Sequence, residues 1–298
     1  MTVFEDLSQA ATSAAAAVGA SVVRIGRHGG RGCGVVIGDG VVATNAHNLR
    51  GDEVLVTFAD GRTETGEVAG VDLDGDLAVV RVATEGSPVV TWASETATTG
   101  AIVFAVARAV AGGARVSFGM VSGTERAFRG PRGRRIKGSL EHTAPMPRGS
   151  SGSPIVDESG AVVGINTNRL GDGFYLAIPV DADLPARLAS LAAGETKTRR
   201  RLGVGLAPAH VARALRSSVG LEPREGLLVR VVEDDSPASR AGVRQGDLIV
   251  SIDGTAVQNA DDLFDALDGD AQEVRLGIVR GTEEIELTAQ FDADAPLS

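Results

Sequence analysis

The stretch Gly149-Ser150-Ser151-Gly152-Ser153-Pro154 decides how the chain is read, together with Thr44-Asn45-Ala46-His47 and Asp76 upstream of it. A serine between glycines lets the backbone turn sharply, exposes the hydroxyl and leaves adjacent N–H groups free to face a developing oxyanion. A histidine and an aspartate supply a general base and the carboxylate that orients it. Serine-glycine runs are also common flexible turns. The order His47, Asp76, Ser151, each at the edge of a strand-like run, favours the catalytic reading over the turn.

Working outward, short Val-rich runs separated by glycine turns point to a mainly β chain. Gly34–Ile37 and Val41–Ala43 flank the hairpin signal Gly38-Asp39-Gly40, and Val54–Phe58 and Thr63–Val71 flank Ala59-Asp60-Gly61-Arg62. Leu77–Val82 starts directly after Asp76, and Ile102–Ala107, Arg115–Val121, Ile155–Val156, Val162–Ile165 and Tyr175–Ile178 continue the series. Many short strands with tight turns suit two packed antiparallel barrels better than a parallel sheet. Residues 7–20 are alanine-rich and expected to be helical, with a strand over Ser21–Ile25.

The rhythm changes after residue 201. Strands are expected over Leu202–Leu206, Gly226–Val232, Leu248–Ile252, Val274–Val279 and Glu284–Gln290, with helices over Ser236–Ala241 and near Ala260–Leu267. Charge changes there too. Residues 1–201 carry 21 Lys+Arg and 21 Asp+Glu, whereas residues 202–298 carry 8 and 18, so the whole net charge of -10 falls in the C-terminal third. The expected division is a first domain over 1–191, a polar linker over 192–201 and a second domain over 202–298. An acidic domain repels phosphates, which argues against nucleic acid as a partner.

Cys33 is the only cysteine, so no internal disulfide forms, and its setting reads as a small side chain in a strand. The N-terminus carries Glu5 and Asp6 where a secretory segment has basic residues, and no run reaches the ~20 apolar residues of a membrane span. Taken as given, the sequence reads as cytoplasmic, or as periplasmic or otherwise extracytoplasmic if its N-terminus has been trimmed.

These motifs resemble the HtrA/Deg family of chymotrypsin-fold serine proteases. The likeness lies in Gly32–Ile37 with Thr44–His47, in Asp74-Gly75-Asp76-Leu77-Ala78-Val79, and in Gly149–Pro154 with Val163–Thr167 and Ala177-Ile178-Pro179. The resemblance implies a double antiparallel β-barrel followed by an α+β PDZ domain, with His47, Asp76 and Ser151 as the catalytic triad. It assigns the oxyanion hole to the Gly149 and Ser151 amides and the primary specificity pocket to Pro145 and Met146 at one wall, with Asn166–Leu170 opposite. No carboxylate is expected at the pocket base, so a small or medium aliphatic residue before the scissile bond is anticipated, in unfolded or misfolded protein substrates. Asp72 and Asp74 compete for the acidic role and are expected to be solvated turn residues; His28, His142 and His210 fit no motif and are expected at the surface or in structural positions.

Against the family pattern, Ser150 stands in place of an asparagine or aspartate, Ser153 in place of a glycine, and Ala105–Gly113 lacks a Gly-Asn-Pro loop. In the C-terminal third, Arg201-Leu202-Gly203-Val204 resembles a PDZ carboxylate-binding loop, so Leu202, Gly203 and Val204 are expected to hold the carboxylate of a C-terminal peptide. Arg199, Arg200 and Arg201 either draw that carboxylate in or form a solvated linker. Arg126–Lys137, with five arginines and one lysine and no acid, is expected to be a loop that either docks on the acidic domain, coupling peptide binding to ordering of the oxyanion hole, or stays disordered and solvated. No metal or cofactor is implied. A homotrimer is implied, with Phe4 as a candidate contact. The alternative functions are a weakly active chaperone or peptide-binding scaffold, and an interaction protein that acts only through its PDZ domain.

Overall fold

A computed structural model describes residues 2–26, 31–109, 112–129, 135–196, 200–207, 209–267 and 271–291. The chain divides into two compact units, 1–197 and 198–298.

The first unit opens with helix α1, Val3–Val18, started by a capping box in which Thr2 and Glu5 each satisfy the other's backbone N–H. Strands β1 (Val22–Ile25), β2 (Gly32–Gly38), β3 (Val41–Thr44), β4 (Glu53–Thr57), β5 (Thr63–Asp72) and β6 (Leu77–Arg81) close into a barrel in the order β1-β2-β3-β6-β5-β4. A second barrel follows from β7 (Ile102–Arg108), β8 (Ala114–Arg129), β9 (Arg135–His142), β10 (Pro154–Val156), β11 (Val162–Gly171) and β12 (Phe174–Pro179), closing as β10-β11-β12-β9-β8-β7. Helix α2, Leu184–Ala192, completes the unit.

Alternation along the strands explains both barrels at once. Val36, Val42 and Val80 are cross-strand partners and fill the first barrel with Val56 and Phe58. Their neighbours Val35, Ala43 and Val79 point the other way and join Phe104, Val156, Ile165 and Ile178 of the second barrel in one cluster. With a side-chain period of two, each strand fills its own barrel with one face and packs the barrels together with the other. Burying each such Val, Leu or Ile is worth about 1.5–3 kcal/mol.

Two sequence expectations change here. The basic stretch expected as a loop is largely a hairpin: β8 runs to Arg129 and β9 begins at Arg135. Ile136, Leu140 and His142 face inward on β9, and the charges between them had masked that alternation. The expected docking of this basic segment on the C-terminal domain falls on residues outside those described, Arg132 and Arg134 among them, as do His28 and Arg199. Asp72 is not solvated. It is buried, takes an ion pair from Arg187 of α2 at 3.0 Å, and accepts from the Asp74 and Gly75 amides.

The second unit contains β13 (Val204–Ala207), α3 (Ala209–Ser218), β14 (Leu227–Val232), α4 (Pro237–Ala241), β15 (Leu248–Ile252), β16 (Thr255–Ala256), α5 (Ala260–Ala266), β17 (Glu273–Arg280) and β18 (Glu283–Gln290). Its sheet runs β13-β14-β15-β17-β18, with β16 beside β15. Helix α3 carries only a narrow apolar strip, Val211, Ala212 and Leu215, and was absent from the sequence expectation. Ser236 caps α4 by accepting from the Ser239 amide, and Asn259 caps α5 in the same manner.

Candidate active site

His47 sits in a single 3-10 turn, Ala46–Asn48, that follows β3. Asp76 sits in the turn between β5 and β6 at φ 51, a left-handed conformation that aspartate tolerates better than most residues. The two meet at 2.8 Å between His47 Nδ1 and Asp76 Oδ2, and the His47 backbone N–H donates to Asp76 Oδ1 at 3.1 Å. Thr167 Oγ1 on β11 donates a short 2.5 Å bond to Asp76 Oδ2. The Asp76 carboxylate accepts, so Nδ1 carries the proton between the two side chains. Asp76 is buried, so its charge is held by this set of donors.

Ser151 lies between β9 and β10, in a loop shaped by Gly149 at φ +83 and Gly152 at φ +89. A Cβ on Gly152 would lie 2.0 Å from the Cys33 carbonyl oxygen, so only glycine fits there. The loop is tied to the first barrel by the Cys33 N–H, which donates to the Ser151 carbonyl at 2.7 Å. Asn48, a residue outside every motif read in the sequence, adds a second tie. Its Nδ2 donates to the Ser151 carbonyl and to Thr44 Oγ1, each at 3.0 Å. Because the carbonyl cannot donate, the amide orientation is fixed.

Ser151 Oγ donates to the Thr167 carbonyl at 2.8 Å, and among the described residues no hydrogen bond joins it to His47. Both side chains nevertheless line one cavity of about 360 Å³, along with Gly149, Thr167 and Arg169. Among the described residues, neither the Gly149 nor the Ser151 N–H donates a hydrogen bond to the protein.

Of the expected pocket residues, Met146 and, from Asn166–Leu170, Thr167, Asn168 and Arg169 line the cavity at the serine. Arg148 and Tyr175 line it as well. Pro145 lines a neighbouring cavity of about 270 Å³ behind Ser150. Asn166 is fully buried and contributes no wall: it accepts from His142 Nε2 at 2.9 Å and donates to Ser153 Oγ at 3.1 Å. That bond houses the Ser153 side chain, which replaces the glycine of the family pattern. His142 is therefore structural rather than at the surface, and burial lowers its pKa to about 4. Cys33 is buried in β2 as expected, and burial raises its thiol pKa. Among the described residues no three His, Cys, Asp or Glu side chains are grouped to hold a metal ion.

In the second unit, Leu202 is buried, with its carbonyl accepting from the Ala238 amide, and Gly203 has φ +72 with its carbonyl accepting from Glu233 N–H. Val204 begins β13, the end strand of the sheet. Arg201 pairs with Glu233 at 3.1 Å, and Arg200 packs over Phe291 at 5.1 Å, so neither is a free linker cation.

Two closed six-stranded antiparallel barrels, with His47 and Ser151 lining one cavity and Asp76 buried against His47, followed in the chain by a PDZ-like unit, define a trypsin-like peptidase architecture. A trypsin-like peptidase domain model matches residues 32–165 and a PDZ domain model matches residues 228–280. Serine protease HhoA of Synechocystis is 34% identical over 281 residues, 89% of this chain and 71% of that protein. A periplasmic serine endoprotease DegP-like protein of Halomonas elongata is 33% identical, over 77% of this chain but only 49% of its own length. Among solved structures, HtrA-type protease AlgW with a decapeptide superposes with a TM-score of 0.73 at 23% identity, covering 96% of this chain and 99% of that one. The chain belongs to the HtrA/Deg family of serine proteases, with a chymotrypsin-like double barrel and a PDZ domain.

Proposed function

We propose that this chain is an endopeptidase that cleaves unfolded or misfolded proteins through His47, Asp76 and Ser151. The observation that carries this is the shared cavity of Ser151 and His47, with the imidazole gripped by buried Asp76. Ser151 Oγ leaves the Thr167 carbonyl, gives its proton to His47 Nε2 and attacks the scissile carbonyl carbon. Asp76 holds the Nδ1–H tautomer and stabilises the imidazolium. The Gly149 and Ser151 N–H groups take the oxyanion, each typically worth about 2.7–4 kcal/mol. His47 then returns the proton to the leaving amine, and water repeats the sequence on the acyl-enzyme. Residues 1–191 form the protease domain, 192–201 the linker and 202–298 the PDZ domain.

The PDZ unit supplies regulation. The outer edge of β13 has no strand partner among the described residues. A C-terminal peptide adds there as a further strand, its carboxylate held by the Leu202, Gly203 and Val204 amides. An extracytoplasmic compartment and a homotrimer complete the proposal. Hydrolysis of unfolded casein by the parent chain, abolished in Ser151→Ala, is the expected result. One observation favours a weakly active scaffold instead, the bond from Ser151 Oγ to the Thr167 carbonyl. Peptide binding to the PDZ unit with no hydrolysis by the parent under any condition is the outcome that selects the scaffold.

A further inference from the structure

The cavity around Ser151 and His47 is lined by two guanidinium groups, Arg148 and Arg169, and by no Asp or Glu among the described residues. Arg169 reaches it because β11 is irregular: its register against β12 shifts between Asn166 and Asn168 and again between Arg169 and Gly171. Bulges of this kind bend a strand and re-aim its side chains. Arg169 stands directly opposite Tyr175, with its guanidinium 5.3 Å from the ring centroid. Its Nη2 donates to the Met146 carbonyl at 2.8 Å and lies 3.5 Å from the Tyr175 hydroxyl. Tyr175 in turn stacks on buried His142 at 5.7 Å. The cation is thus held in place by an aromatic floor rather than free to swing into solvent.

A guanidinium has five N–H donors in a planar fork. Both recorded side-chain bonds of Arg169 use Nη2, and among the described residues no carboxylate pairs with it. Donors on Nε and Nη1 therefore remain for an incoming acceptor. Resting on the protease reading above, we infer that Arg169 selects substrates with an acidic side chain, Glu or Asp, immediately before the scissile bond. This replaces the aliphatic preference expected from sequence. The substrate carboxylate accepts from Arg169 while Arg148 at the exposed rim adds positive potential, and a lysine at the same position meets two like charges.

The test uses the full chain and internally quenched peptides, amidated at their C-termini so that only a side chain supplies a carboxylate. The peptides differ only in Glu, Gln, Val or Lys before the scissile bond, and mass spectrometry identifies the bond cut. Glu is expected to exceed the isosteric Gln by about 10–100-fold in kcat/KM, with the ratio falling as salt rises. In Arg169→Gln the Glu/Gln ratio is expected to drop to about one, and in Arg169→Glu the order of Glu and Lys is expected to invert. Fluorophosphonate labelling of the parent is run in parallel. Labelling at Ser151 with Val or Gln cleaved as well as Glu overturns the specificity and leaves the protease standing. No labelling and no cleavage overturn both.

Discussion

At the scale of single residues, the site depends on more than the three residues first singled out. Thr167 and His47 together surround the Asp76 carboxylate, and Asn48 ties the Ser151 carbonyl to the turn that carries His47. Thr167→Val keeps the shape of the side chain and removes the donor to a buried charge. A hydrogen bond to a charged group is worth about 1.5–3 kcal/mol, so kcat/KM on a quenched peptide is expected to fall about 10–100-fold while the fold is retained. Glycine spacing and chain order singled out His47, Asp76 and Ser151 in the sequence, and the fold puts His47 against Asp76 and lines one cavity with His47 and Ser151. Asn48 was not singled out, because its role comes from a carbonyl 103 positions away in the chain. Asn166 was legible as a member of the block but misassigned, since only the fold shows it turned inward to His142 and Ser153.

At the scale of elements, valine alternation and glycine turns made most strands readable, and their faces follow from a period of two. Strand β9 was not read as a strand: its start fell within the expected loop Arg126–Lys137, and Gly138 interrupts the apolar face between Ile136 and Leu140. Helix α3 was overlooked because its apolar strip, Val211, Ala212 and Leu215, is short and narrow. In the second unit, one pairing holds β17 to the turn before β15: Arg280 Nε and Nη2 bond Asp247 Oδ1 and Oδ2, each at 2.8 Å. Asp247 is buried and also accepts from the Arg244 amide, and the pairing raises the Arg280 pKa. Replacing Asp247 by Ala leaves a guanidinium without its partner. Because Arg280 is partly exposed, the expected loss is about 2 kcal/mol, below the range for fully buried pairs. Urea denaturation of the variant is the check.

At the scale of the whole molecule, His142 couples stability to pH. Its neutral ring is buried between Asn166 and Tyr175, and burial lowers its pKa from the usual 6.5 to about 4. Between those values the unfolded chain binds a proton that the folded chain excludes, so stability is present above pH ~6.5 and is lost as pH falls toward ~4. At 1.36 kcal/mol per pH unit the loss reaches about 2 kcal/mol by pH 5. Denaturant unfolding at pH 8 and pH 5 is expected to show this difference in the parent, and His142→Gln is expected to lack it.

The catalytic claim is tested most directly by reacting the folded chain with a fluorophosphonate and mapping the adduct by mass spectrometry. A single modification on Ser151, lost in His47→Ala and retained in His210→Ala, is the expected result. An unmodified Ser151, or a label on another serine, contradicts it.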